Sequence, residues 1–161
     1  MLGVDPGLRV TGYGAVDLAA GRLEPTLVEG GAITLKARDP LAMRLSVLSE
    51  ELGEVMDDLK PQRMVVEELF AHYAHPRTAI LMGHARGVIL LAAHRRGIAI
   101  TTLRPTEVKK AMTGNGHATK HQMQRAVQSQ CNLAEPPEPN DVADGIALAI
   151  CGARRMAVEQ W

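Results

Sequence analysis

The chain has 161 residues, 46% of them hydrophobic and 22% charged, and its formal net charge is zero. That length and apolar content suit one domain over residues 1–161 with a sizeable core, and they exclude a disordered polymer. No apolar run approaches the length that spans a bilayer, Val88 to Ala93 being among the longest, and no basic stretch precedes a long apolar one at the N-terminus, so a soluble, cytoplasmic protein without membrane contact is expected.

Met1-Leu2-Gly3-Val4-Asp5-Pro6-Gly7 reads as an apolar opening strand that ends at an acid and a turn. Val10 to Leu18 and Leu27 to Leu35 read as further strands with Ala20-Gly21-Arg22 as the turn between them, so the chain begins as an antiparallel meander. From Pro40 to Lys60, Leu41, Leu45, Leu48, Leu52, Val55 and Leu59 recur at helical spacing, and Pro61 is a stop. Met64-Val65-Val66-Glu67 supplies a fourth strand, Arg77 to Arg96 a helix closed by Gly97, and Ile98 to Leu103 a fifth strand. Helices near Pro105 to Met112 and Thr119 to Gln130 follow, Ala134 to Pro139 breaks the structure, and a last helix opens at Asp141. The order is α/β, with no internal repeat. Cys131 and Cys151 lack metal-site spacing and are too few for a disulfide scaffold; both read as buried thiols in a reducing compartment.

Four acids on three separated segments carry the chemistry. Asp5 and Glu67 end apolar strands, and Asp141 and Asp144 open an apolar helix. Acids beside Val, Ile and Leu are costly to bury unless something cationic compensates them. Asp5 also suits a turn, and Asp141 suits a helix cap, but Asp144 lies three residues on, facing the same side as Asp141, where a shared cation explains the pair better than capping does. Hard oxygen ligands from strand ends and a helix start suit Mg²⁺ or Mn²⁺, and two such ions can clamp a phosphodiester during hydrolysis. Glu67 and Glu68 point to opposite faces of their strand, so pattern admits either one to the cluster but not both.

Zero net charge hides an asymmetry. From Arg86 to Arg125 eight basic residues (Arg86, Arg95, Arg96, Arg104, Lys109, Lys110, Lys120 and Arg125) face the single acid Glu107, which makes this stretch +7 and the remainder −7. Some of the negative charge, Glu50, Glu51, Glu54, Asp57 and Asp58, reads as the solvated face of one helix. A basic half beside an acidic metal site suits a polyanionic substrate longer than its scissile phosphate.

These residues resemble the RuvC family of Holliday-junction resolvases. The resemblance runs in family order through Leu2-Gly3-Val4-Asp5-Pro6-Gly7, Thr11-Gly12-Tyr13-Gly14, Val66-Glu67 with Phe70, and Gly83-His84-Ala85-Arg86-Gly87. It continues through Val108-Lys109, Gly114-Asn115-Gly116-His117-Ala118-Thr119-Lys120 and Asp141-Val142-Ala143-Asp144, covering nearly the whole chain. It implies an RNase H-like fold, a five-stranded mixed sheet flanked by helices. It also implies that Asp5, Glu67, Asp141 and Asp144 are the metal-binding catalytic acids, which selects Glu67 over Glu68. Gly145 departs from expectation: a better helix former is anticipated there, and glycine costs the helix roughly 1 kcal/mol.

The activity implied is hydrolysis of four-way junction DNA, leaving 5′-phosphate and 3′-hydroxyl ends, with Mg²⁺ or Mn²⁺, two ions per site. Lys109 and Lys120 match basic positions near the scissile phosphate, and Gly114-Asn115-Gly116 reads as a mobile loop between them. Arg86, Arg104 and Lys110 are further candidate DNA contacts from the basic half. Phe70 and Tyr73, within six residues of Glu67, can stack on an unpaired base or pack in the core. Gly7 admits a close phosphate or simply a turn. His117 and His121, four apart, lack a third ligand and read as DNA-facing or solvated. Gly83, Ala85 and Gly87 allow close helix approach, and the family is dimeric there, so a homodimer is implied, with the RuvA and RuvB branch-migration proteins as partners. The first loop also resembles that of actin-like ATPases, but those need a second phosphate loop and domain; a binding-only protein is disfavoured by retention of all four acids.

Overall fold

β1 (Leu2–Asp5) and β4 (Arg63–Glu67) run parallel at the centre of the sheet. The computed structural model describes residues 1–69 and 76–159. β2 (Val10–Asp17) lies antiparallel to β1, β3 (Thr26–Thr34) antiparallel to β2, and β5 (Ala99–Leu103) parallel to β4. The resulting order, β3-β2-β1-β4-β5, is the expected five-stranded mixed sheet. The helices are α1 (Leu41–Leu59), α2 (Pro76–Arg95), α3 (Pro105–Thr113), α4 (Lys120–Gln130) and α5 (Asn140–Glu159), each within a residue or so of the expectation.

Local chemistry sets these limits. α1 stops at Lys60, which takes a left-handed conformation and donates its N–H to the Met56 carbonyl at 3.0 Å, with Pro61 next. α3 starts with Pro105 in its first turn and ends at left-handed Gly114. α4 has a reciprocal capping box: Gln122 N–H donates to the Thr119 hydroxyl at 3.2 Å, and Thr119 N–H donates to the Gln122 side chain at 2.8 Å.

Strand alternation sorts the core into two layers. Leu2, Val4, Met64 and Val66 face α1 and α2 with Leu48, Leu52, Met56 and Ile89. Val65 faces the other way, into a layer with α5, α3 and α4 that includes Ile146, Leu148, Val108 and Met123. Gly3 shares that second face, since a Cβ there would strike the Gly145 carbonyl of α5. By the same parity, Asp5 and Glu67 lie toward α5.

Gly145 is where the sequence expectation fails. A Cβ at this position would meet the Tyr13 backbone at 2.6 to 2.8 Å, and one at Gly12 would collide with the Asp141 carbonyl. α5 therefore rests main chain against main chain on β1 and β2. Glycine here is what brings the helix start down onto the sheet. Two smaller expectations also change. Ala85 is fully buried in the core while Gly83 and Gly87 are exposed, so the three do not share a face. Cys151 is buried as expected, but Cys131 is only partly so.

Candidate active site

The pairing of β1 with β4 places Val4 opposite Val66, so the next residues, Asp5 and Glu67, stand side by side at the carboxyl ends of two parallel strands. α5 delivers Asp141 and Asp144 to the same place, because its first turn sits directly over Gly12, the β2 partner of Asp5. The Asp5 loop is tied by Thr11, whose hydroxyl donates to the Gly7 carbonyl at 2.7 Å and accepts from Gly7 N–H at 3.2 Å. A Cβ on Gly7 would strike the Val10 carbonyl, so the tight turn alone requires glycine there.

The acids perturb one another as buried like charges do. Burial pushes Asp5 up to about 8, with Glu67, Asp144 and Asp141 adding repulsion and Lys120 opposing them. Glu67 is pushed up to about 7, first by burial and then by Asp144, against the pull of Lys109. Asp144 is also raised by burial, with Lys120 and Lys109 pulling it down and Asp141 pushing it up. Lys109, in α3, and Lys120, at the start of α4, thus sit close enough to act on the acids, although 42 or more residues separate each from Glu67 and Asp5 in the chain.

No three His, Cys, Asp or Glu groups among the described residues stand close enough to hold one ion as placed. The donor set fits a hard divalent cation: it is all carboxylate, with no imidazole or thiolate, and the raised affinities for protons are those a cation reverses.

Glu68 is elsewhere. Its carboxylate accepts from Arg104 Nε at 3.2 Å, and its N–H donates to the Leu103 carbonyl, so it belongs to the β4–β5 edge. Arg104 is therefore already paired, and Arg86 donates from Nε to the Glu67 carbonyl at 3.2 Å, pinning α2 behind that acid. Lys110 is exposed on α3, and His117 and His121 are both exposed. The Gly114-Asn115-Gly116 segment is a hydrogen-bonded turn and not a loose connector: Asn115 accepts from His117 N–H at its side chain at 3.0 Å and from Ala118 N–H at its carbonyl at 3.1 Å. Phe70 and Tyr73 lie outside the described residues. Three cations that sequence reading passed over, Arg9, Arg44 and Arg77, line a groove running away from Asp5, Glu67 and Asp141. They fall on three segments of the chain, and no local pattern marks them.

A mixed sheet in this order, flanked by helices, is an RNase H-like fold, and the acids gather at the ends of β1 and β4 and at the start of the last helix. The family described as "Crossover junction endodeoxyribonuclease RuvC" matches residues 1–152. A relative of that name from Rhodopirellula baltica is 49% identical over 94% of this chain and 84% of its own length. The solved structure of Thermus thermophilus RuvC in complex with a Holliday junction substrate superposes with a TM-score of 0.88 at 30% identity, covering 98% of this chain and 94% of that one. The yeast mitochondrial Holliday junction resolvase shares the fold at a TM-score of 0.71, with 12% identity over 99% of this chain and 80% of its own. The chain belongs to the RuvC family of crossover junction endodeoxyribonucleases. Family membership carries with it the use of a divalent metal. Among the described residues no helix is long and apolar enough to cross a membrane.

Proposed function

We propose that this chain resolves four-way DNA junctions by symmetric, metal-dependent phosphodiester hydrolysis in recombination and repair, leaving 5′-phosphate and 3′-hydroxyl ends. The observation that carries the reading is the gathering of acids at the ends of β1 and β4 and the start of α5, where burial and neighbouring carboxylates raise Asp5, Glu67 and Asp144 beside Lys109 and Lys120. On this reading the four acids hold Mg²⁺ or Mn²⁺, two ions per site. Such ions, when bound, make water more acidic and stabilise a departing oxygen. The carboxylates orient that chemistry, and Lys109 and Lys120 offset the negative charge that a phosphate adds to an already acidic site. Lys110 extends the cationic surface along the DNA, and Arg104, mostly exposed beside Glu68, reaches the same strand through the guanidinium nitrogens that this pairing leaves open. Arg86 holds the Glu67 end of the site in position. Phe70 and Tyr73 stack on bases opened near the cut.

Symmetric cutting of a four-way junction calls for two sites related by a twofold axis. α2 offers a face for a homodimer: Ile80 and Leu91 are 62% and 49% exposed, and Gly83 and Gly87 between them have open space where a side chain would be. The reading takes residues 1–161 as one nuclease domain working in the cytoplasm with RuvA and RuvB, partners that the family resemblance supports.

The test is cleavage of four-way, duplex and single-stranded DNA compared in Mg²⁺, Mn²⁺ and Ca²⁺, with the product ends identified. Junction-selective nicking in Mg²⁺ or Mn²⁺, and binding with little hydrolysis in Ca²⁺, are expected. Equal cutting of all three substrates sinks the proposal.

A further inference from the structure

The groove that begins at the acids has a volume of about 850 Å³ and runs past the Pro6–Val10 turn, between α1 and the start of α2. Asp5, Glu67 and Asp141 occupy one end, and Arg9, Arg44 and Arg77 line its walls. The arginines elsewhere that have assigned partners are held within the protein: Arg96 by Asp57, Arg104 by Glu68, Arg154 by Glu24, Arg125 by Gln128, and Arg86 by the Glu67 carbonyl. The three groove arginines have no ion-pair or side-chain hydrogen-bond partner among the described residues.

Arg44 is the telling member. It is half-buried on α1, and its Nε is enclosed yet donates to nothing among the described residues. An enclosed guanidinium N–H without an acceptor costs a fold stability, so whatever the apolar stem adds by packing, this charged end is not accounted for by contacts within the chain. The first turn of the 20-residue helix α2 adds to the same wall through Arg77 and Thr78, bringing the positive end of the helix dipole to the groove. Guanidinium groups and a helix start together match the oxygens of a phosphate, which a planar fork can bind in bidentate fashion. The groove is continuous with the acids, so a phosphate held there belongs to the strand whose scissile bond lies over them.

We propose that Arg44, supported by Arg9 and Arg77, binds a non-scissile phosphate of the strand being cut and so sets the register of the scissile phosphate over Asp5 and Glu67. This rests on the nuclease reading above. The probe is a set of four-way junctions carrying one uncharged methylphosphonate at each phosphate near the cut. Cleavage in Mg²⁺ and binding in Ca²⁺ are measured for the unmodified protein, Arg44→Ala, Arg44→Met and Arg44→Lys, with melting curves for each.

At one non-scissile position the neutral linkage should slow the unmodified protein by about tenfold or more, and at that position alone it should cause no further loss in Arg44→Ala. Arg44→Ala should flatten the slope of log affinity against log salt by about 0.9. Arg44→Met, which keeps the apolar stem, should melt no lower than the unmodified protein and still cut slowly, and Arg44→Lys should recover part of the rate. Normal cutting by folded Arg44→Met overturns the proposal, as does a neutral-linkage penalty that is the same in Arg44→Ala as in the unmodified protein at every position. Failure of the unmodified protein to cut any junction refutes the nuclease reading instead; the register site is then judged by the same interference pattern in binding.

Discussion

Asp5→Asn isolates the repulsion at the centre of the site. In the folded chain Asp5 titrates at about 8 against an ordinary 3.8, because burial and then Glu67, Asp144 and Asp141 disfavour its ionised form. The folded protein therefore binds this proton more tightly than the unfolded chain does. The stability linked to it is fully present below about pH 4 and is lost as pH rises through about 8. A displacement of that size corresponds to an upper bound on the order of 5 kcal/mol between acid and alkaline pH. Asparagine has nearly the same shape and no charge. In chelator, the variant should match the unmodified protein at pH 4 and melt progressively higher than it as pH rises to 9. At about 2–4 °C per kcal/mol for a chain of this size, the separation at pH 9 should be on the order of 10 °C. Excess Mg²⁺ should close or reverse the gap, since a ligand that binds only the folded state stabilises it and the variant has lost a donor. Thermal melting by circular dichroism from pH 4 to 9, with EDTA and with Mg²⁺, makes the comparison. A separation that stays constant with pH would falsify the buried like-charge account.

Glu67→Gln should abolish junction cleavage in a gel assay while Glu68→Gln leaves it within about twofold; Glu68 pairs with a mostly exposed Arg104, a contact worth less than about 1 kcal/mol. Lys109→Ala should lower cleavage without unfolding the chain and shift the pH midpoint of activity upward, because the cation that holds Glu67 down is gone; an unchanged midpoint argues against that coupling. Gly145→Ala, which helix propensity alone expects to add about 1 kcal/mol, should instead lower the melting temperature by several degrees, because the new Cβ meets Tyr13 backbone that cannot move aside. A rise in melting temperature refutes the close-approach argument.

Strands and helices were legible because their signals are local: helical spacing from Leu41 to Leu59, Pro61 and Gly97 as stops, Thr119 as a cap. The choice between Glu67 and Glu68 was not legible from their own segment. Strand alternation separates their faces, but only the parallel pairing with β1 says which face receives α5. Gly145 was misread for a related reason: propensity describes a helix in isolation, whereas this residue is decided by a strand 132 positions earlier. Counting charge placed Arg86 and Arg104 with the free cations of the basic half, and only the fold reveals a carbonyl and a carboxylate already facing them. Arg9, Arg44 and Arg77 show the converse, since cations scattered over three segments have no collective signal until a groove gathers them.

The seating of α5 on β1 and β2 also bears on synthesis. Asp5 and Glu67 emerge early, while the two acids that complete the set, and the apolar layer covering one face of the sheet, arrive only with residues 140–159. A nascent chain that has not yet released this helix carries half the carboxylates and an uncovered sheet face, and contacts of such long sequence separation form late and slowly. On the proposed four-acid reading a chain still lacking this helix does not cut DNA, and its hydrophobic sheet face is a target for chaperones until α5 docks.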